Sequence, residues 1–440
     1  MNFLPQILFL LALLIAIYLF AKKIGTIKRN IFLGLPEDLS DQPNKRWKNV
    51  LLLALGQKKM FKNQIVAILH LIIYAGFVII NIEVLEILID GIAGTHRIFF
   101  GYIPSLYPFL INCFETLAVG VLLVCVVFLY RRNSMHLWRF KNTDLKGWPS
   151  KDANYILVTE IILMGLFLTM NASDTLLQKR GFGHYGDKLT GDFIFSSFLH
   201  PILSGLDNSS LVILERLSWW LHILGIFAFL NYLPWSKHLH IVLAFPNAYF
   251  ARLTPQGKFS NMPAIQKEVL YAFQPELAPT SDQTVVAKFG ASDIHELSWK
   301  NILDAYSCTE CGRCSNACPA AQTGKLLSPR SIMMKTRDRA EELGNRLDKK
   351  MEVQDGKSLL YDYISEEELR ACTTCNACVE ECPVSISPLD IIVQLRRYLV
   401  MEKSSAPQEW TMMFGNIENN FAPWKFPPTD RSNWTNSLPS

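Results

Sequence analysis

Apolar residues crowd the first 245 positions of the chain, whereas charge and cysteine gather in the remainder. Five apolar stretches approach the about 20 residues that cross a hydrocarbon core of about 30 Å: 3–20, 65–89, 107–130, 155–170 and 211–233. Each is predicted to be a membrane-spanning helix. The fourth is the shortest and carries Glu160. The first lacks a basic segment ahead of it and runs into Ala21-Lys22-Lys23, which reads as an anchor and not as a removed signal peptide.

After the last apolar stretch the pattern changes. Residues 241–290 hold Pro246, Pro255, Pro263, Pro275 and Pro279 among scattered polar positions, which predicts an irregular linker on the membrane face. From Leu297 the pattern is helical around two groups of cysteines. The segment 332–347 between them is charged and amphipathic, and 389–399 reads as a further helix. The expected fold is all-α, a five-helix transmembrane bundle followed by a helical dicluster ferredoxin domain. Its parts are 1–240 (transmembrane bundle), 241–290 (linker), 291–402 (the cysteine-bearing domain) and 403–440, a partner-docking tail rich in Asn, Pro and Trp.

Charge orients the bundle. Lys22, Lys23, Lys28, Arg29, Lys45, Arg46, Lys48, Lys58, Lys59 and Lys62 lie between the first two stretches. Arg131, Arg132, Arg139, Lys141, Lys146 and Lys151 follow the third, while the second-to-third connection offers only Arg97. The positive-inside rule then places the N-terminus outside and everything after Trp235 in the cytoplasm. The net charge of +4 is small, and no basic run alternates with aromatics, so nucleic acid is not an expected partner.

Eight of the ten cysteines form two runs, Cys308-x2-Cys311-x2-Cys314-x3-Cys318-Pro319 and Cys372-x2-Cys375-x2-Cys378-x3-Cys382-Pro383. Thiolates are soft ligands for iron, and three at this spacing wrap one cubane while the fourth reaches the other. The expected sets are Cys308, Cys311, Cys314 and Cys382 for one [4Fe–4S] cluster, and Cys372, Cys375, Cys378 and Cys318 for the second. A pair of zinc sites would use CxxC pairs with a longer spacer. Cross-ligation also brings the clusters within fast tunnelling range. Cys113 and Cys125 lie within an apolar run and read as buried thiols.

Among nine histidines, His70 near the start of the second span and His240 just past the fifth share the cytoplasmic level. Two facing imidazoles there would ligate a b-type haem. The alternative for His238 and His240, beside Lys237, is an interfacial ring bonded to a headgroup or a carbonyl. His222 lies mid-span, and Ile80 stands where its partner on the second span would be, so His222 is expected to bond Glu83 or a quinone.

The segments Gly290-Ala291-Ser292-Asp293, Cys308-Thr309-Glu310-Cys311-Gly312-Arg313-Cys314, Leu326-Leu327-Ser328-Pro329-Arg330 and Ala371-Cys372-Thr373-Thr374-Cys375 resemble membrane-bound Fe–S oxidoreductases related to heterodisulfide reductase. Electron-transfer-flavoprotein:menaquinone oxidoreductases are the most similar members. The N-terminal half is similar to the haem-binding gamma subunit of respiratory nitrate reductases, in which two histidines ten apart pair with two others eighteen apart. His70, His222 and His240 match that spacing, Ile80 replaces the fourth histidine, and His238 could stand in for His240. The resemblance implies one haem b and menaquinone as substrate.

Family members also continue into cysteine-rich CCG domains that follow no segment here, which implies a separate heterodisulfide-reductase-B-like subunit docked by the tail. Electron-transfer flavoprotein is a further implied partner. The expected protein is a multi-pass electron-transfer subunit of the bacterial inner (cytoplasmic) membrane, embedded in membrane lipid. It joins a cytoplasmic donor, two clusters, haem b and the menaquinone pool. A haem-free membrane-anchored dicluster adaptor and a quinol-oxidising, heterodisulfide-reductase-like subunit are the alternatives.

Overall fold

A computed structural model of the chain describes residues 3–135, 137, 145–255, 257–278, 288–352, 354–425 and 427–438. Arg139, Lys141 and Pro279, used above, lie outside the described residues. These form helices and connections with no β-strand among them, only two isolated bridges.

Five helices are long and apolar enough to cross a membrane: α1 (Leu4–Ile31), α2 (Gln64–Ala93), α3 (Tyr107–Asn133), α4 (Trp148–Lys179) and α5 (Asn208–Tyr232). Their ends carry ordinary stop and start chemistry. Asn63 caps α2 by accepting from the Val66 N–H, and Gly94 ends it at φ +70°, a left-handed conformation that costs glycine little. Lys28 and Arg29 sit in the last turn of α1, where they complement the helix dipole. Around Phe9, Ile80, Ile111, Phe167, Trp219 and Ile223 the five helices share one core.

The fourth apolar stretch proves to be the longest helix, with 32 residues. It continues past residue 170 through Asn171, Ser173, Asp174, Thr175 and Gln178, all buried. Polar residues can extend a helix here because the bundle satisfies them: Arg97 pairs with Asp174 and donates to Asn171 at 2.8 Å.

The segment expected to be irregular holds two helices, α6 (His240–Tyr249) and α7 (Pro263–Phe273). Pro246 lies inside α6, and Pro263 occupies the first turn of α7. The prolines therefore start or bend helices in this segment instead of preventing them. Asn247 of α6 donates to the Val384 carbonyl at 2.7 Å and accepts from Lys300 at 2.9 Å, which fastens α6 to the cysteine domain.

That domain contains α8 (Trp299–Tyr306), α9 (Arg313–Ala317), α10 (Pro329–Asp348), α11 (Ala377–Glu381) and α12 (Pro388–Arg397). Ile302, Leu343, Leu359, Leu369, Ile391 and Leu395 build its core, and Ile27 and Ile31 of α1 complete it. Asn30 donates to Tyr306 Oη at 3.0 Å, and Arg29 donates to the Gly344 carbonyl at 2.9 Å. A Cβ at Gly344 would lie 2.2 Å from Asn30 Oδ1, so only glycine lets α1 and α10 approach this closely. The loops rich in lysine and arginine stand at this same end: Lys59 donates to the Val379 carbonyl at 3.2 Å.

Arg339 is 1% exposed and bridges Asp293 (2.8 Å) and Asp355 (2.7 Å) while donating to the Lys357 carbonyl. Arg339→Ala would strip Asp293 and Asp355 of their shared guanidinium and leave Asp355 only the more distant Arg346, at 4.0 Å. An expected loss of about 3 kcal/mol follows, read as the urea midpoint of the detergent-solubilised protein. An unchanged midpoint would contradict it. The last helix, α13 (Gln408–Asn420), buries none of its residues.

Candidate metal centres

The two cysteine runs take the same path. In the first, Glu310 and Gly312 have positive φ (+49° and +72°); in the second, Thr374 and Asn376 do (+57° and +62°). These are matching positions, two and four residues after the leading cysteine. Each loop turns tightly through them into a short helix, α9 or α11, and the two helices pack together. The fourth cysteine follows each helix, in extended conformation ahead of a proline.

This arrangement brings the runs together crosswise. Cys308, Cys311 and Cys314 line one pocket with Cys382 from the other run; Cys378, Met333, Pro383 and Ile386 close it. Cys318 lies within electrostatic reach of Cys372 and Cys378 of the second run. No cysteine is in a disulfide. Backbone N–H groups approach two sulfurs, Thr374 to Cys372 at 3.4 Å and Ile386 to Cys382 at 3.3 Å.

Among the described residues no three His, Cys, Asp or Glu side chains converge at single-ion distance. A cubane asks for something wider, since its thiolates bind different iron atoms. Burial pushes the Cys308 and Cys378 thiols up to about 12 and Cys382 to about 11. Without a metal these groups stay protonated at neutral pH, so metal binding there releases protons. Cys308 of the first set and Cys318 and Cys378 of the second are buried, whereas Cys375 of the second is exposed.

Two histidines at the cysteine-domain end of the bundle have one ring nitrogen each engaged. His70 Nδ1 lies 3.0 Å from Gln57 Oε1, and His240 Nδ1 lies 2.7 Å from the Lys237 carbonyl. Both rings thus keep Nε2 for a metal, with the tautomer fixed from behind. The His70 ring lies within electrostatic reach of His240 and of Arg313 in the first cysteine run. His238 stands 5.7 Å from the His240 ring centroid and has its Nδ1 buried with no partner among the described residues. Burial lowers the pKa of both His238 and His240, so both imidazoles are neutral at physiological pH. These imidazoles are the nitrogen donors that a bis-imidazole haem would use.

Of the two partners expected for His222, Glu83 is not the one its Nδ1 meets. That nitrogen meets the Leu163 carbonyl at 3.0 Å, and the ring packs 6.0 Å from Phe167. Phe9 fills this part of the bundle, with its ring 5.6 Å from Trp219 and 6.0 Å from Phe227. It also packs against Gly91 of α2.

A buried polar cage near the opposite end of the bundle was not anticipated. Arg97, which reads as a loop charge, is buried and donates to Tyr107 Oη at 3.0 Å, which donates to Glu86 at 2.8 Å. Asn171 donates to the fully buried Glu115 at 3.1 Å. The available signal was Glu83, Glu86 and Asp90, spaced to share one face of α2.

Residues 304–386 match the 4Fe-4S dicluster domain family. Over 98% of its length the chain is 28% identical to "Probable iron-sulfur-binding oxidoreductase FadF" of Bacillus subtilis, covering 61% of that protein. It is 26% identical over 95% of its length to "EtfAB:quinone oxidoreductase" of Syntrophomonas wolfei, covering 56% of it. A shorter segment, 34% of the chain, is 30% identical to "Probable membrane-anchored ferredoxin" of Chromohalobacter salexigens, of which it covers 25%. The chain thus spans about three fifths of the length of the first two relatives. No solved structure matches.

Proposed function

We propose that this chain, a homologue of iron–sulfur oxidoreductases with a dicluster domain and five membrane-length helices, is the membrane electron-transfer part of such an enzyme. In this reading Cys308, Cys311, Cys314 and Cys382 hold one [4Fe–4S] cluster. Cys372, Cys375, Cys378 and Cys318 hold the second, and His70 and His240 hold one haem b. When bound, these groups supply the one-electron carriers.

The observation that carries the reading is adjacency. Lys237 lies within electrostatic reach of Cys311 and Glu310 of the first cysteine loop, and His70 within electrostatic reach of Arg313 of that loop. The chain's own part is positioning. Gln57 and the Lys237 carbonyl orient the imidazoles; Met333 and Ile386 keep water from the first cysteine set. The exposed Cys375 marks the side open to a soluble redox partner. A CCG-type heterodisulfide-reductase-B-like protein or an electron-transfer flavoprotein fits that role, and menaquinone fits the membrane side. The quinone named for the Syntrophomonas relative supports this. The position of the cation-rich loops at the cysteine-domain end favours a cytoplasmic cluster domain in a bacterial inner membrane.

The test is direct. Protein purified from membranes is expected to contain iron and acid-labile sulfide for two cubanes, together with a b-type haem that dithionite reduces. A soluble menaquinone analogue should reoxidise that haem. Absence of haem would sink the membrane half of the reading, and haem that quinone fails to reoxidise would sink the acceptor.

A further inference from the structure

The two cysteine runs match as far as their prolines and diverge after them. Behind Cys318, residues Pro319–Gln322 form a short helix that supports itself, the Gln322 N–H bonding the Cys318 carbonyl at 3.0 Å. Behind Cys382 no helix follows until α12. Residues 383–387 form an irregular turn there, with Ser385 at φ +59°. An L side chain keeps that conformation only where its surroundings fix it. The turn aims the Ile386 N–H at the Cys382 sulfur, 3.3 Å away.

Three buried side chains from outside the run hold this turn. Asn247 of α6 donates to the Val384 carbonyl at 2.7 Å, and Asp304 of α8 accepts from the Ser387 N–H at 3.3 Å. The backbone is thus gripped on both sides of Ile386. Lys300, one helical turn before Asp304, pairs with it and donates to Asn247 at 2.9 Å, which joins the two grips. None of the three is more than 2% exposed. Burying an ammonium and a carboxylate costs several kcal/mol per ion, and apolar residues of similar volume would pack α6 against α8 without that cost. What apolar residues could not do is hold the Val384 carbonyl and the Ser387 N–H.

We propose that Asn247, Lys300 and Asp304 are positioning residues for the fourth ligand of the first cluster, holding the 383–387 turn so that the Ile386 N–H stays on the Cys382 sulfur and raises that cluster's midpoint potential. The proposal rests on the cluster reading above. A hydrogen bond to a ligand sulfur favours the reduced, more negative cluster, and such bonds are among the features that set iron–sulfur potentials. Asn247 also lies two turns along the helix that His240 opens, so one hydrogen bond links the helix of a haem-ligand candidate to the turn behind Cys382.

The test uses the full chain in detergent. Wild type must first show two cubanes by iron, sulfide and EPR; failure there removes the cluster reading and is distinct from failure of the positioning role. Asn247→Ala removes one grip. Lys300→Met combined with Asp304→Leu removes the other and leaves no buried charge unpaired. Neither variant alters the net charge, so a shift in potential reports the turn. Both are titrated potentiometrically, with the two EPR signals assigned through Cys318→Ser and Cys382→Ser. The first cluster should become harder to reduce by about tenfold, or about 59 mV for one electron, while the second keeps its potential. Loss of the first cluster alone would also support the proposal, because only that centre draws its fourth ligand from this turn. A merely structural network would lower thermal stability and move neither potential, and that result in both variants would overturn the proposal. An equal shift of both clusters would overturn it too. So would loss of both clusters from both variants, which would make the network a requirement for folding.

Discussion

Replacing Cys318 by serine should cost the protein its second cluster and spare the first, although Cys318 belongs to the first run. The side chain is 7% exposed and lies within electrostatic reach of Cys372 and Cys378, while Cys308, Cys311 and Cys314 look toward Cys382. Serine is a harder and far less acidic ligand than cysteine, and iron–sulfur centres select soft thiolates. Cys318→Ser is expected to lose about half of the iron and sulfide, with EPR showing the second cluster missing or altered. Cys382→Ser should mirror it, removing the first cluster. If Cys318→Ser instead removed the first cluster, each run would ligate its own cubane and crosswise binding would be wrong. The paired variants share a fold and differ only in which centre they starve, so general misfolding cannot imitate the exchange.

The second large effect is expected at His70. His70→Ala should reduce b-type absorbance in purified membranes to below about a tenth of wild type. Losing an outer-shell partner of a metal ligand already costs roughly 10- to 100-fold, and a ligand itself costs no less. Iron and sulfide should persist, because His70 lies on α2 and not in the cysteine domain. His222→Ala is the counterpart. Its Nδ1 serves the Leu163 carbonyl inside a packed core, so the variant should destabilise the bundle while keeping haem. His238→Ala and His240→Ala then separate the two neighbours at the start of α6. Retention of full haem by His70→Ala would refute the ligand assignment.

Much of this architecture could be read from the chain beforehand, for identifiable reasons. The spans are legible because lipid demands continuous apolar surface, and the cysteine runs because thiolate spacing is tied to one kind of cage. What escaped depends on partners distant in sequence. The length of α4 was underestimated because Asn171, Asp174 and Gln178 look like the end of a span until Arg97 and Thr190 are seen satisfying them. Arg97 looked like a loop charge for the same reason. Helix α6 was hidden by Pro246, which the helix accommodates. That His222 meets the Leu163 carbonyl and not Glu83 depends on how α4 and α5 pack, which is not a local property. Composition likewise gave no sign that α1 would supply residues to a core beyond the membrane.

That last feature bears on the order in which the chain is made. Helix α1 leaves the ribosome well before the cysteine domain, yet Ile27 and Ile31 belong to a core that also holds Leu395 and Leu399, and Asn30 bonds Tyr306. During synthesis its inner end must remain without its final neighbours until the cysteine domain has followed. Conversely, the cysteine domain produced alone would present an empty apolar seat beside Tyr306 and Gly344. A soluble fragment is therefore expected to aggregate or to mature poorly, and the membrane insertion of α1 becomes a timing step in loading the domain with iron.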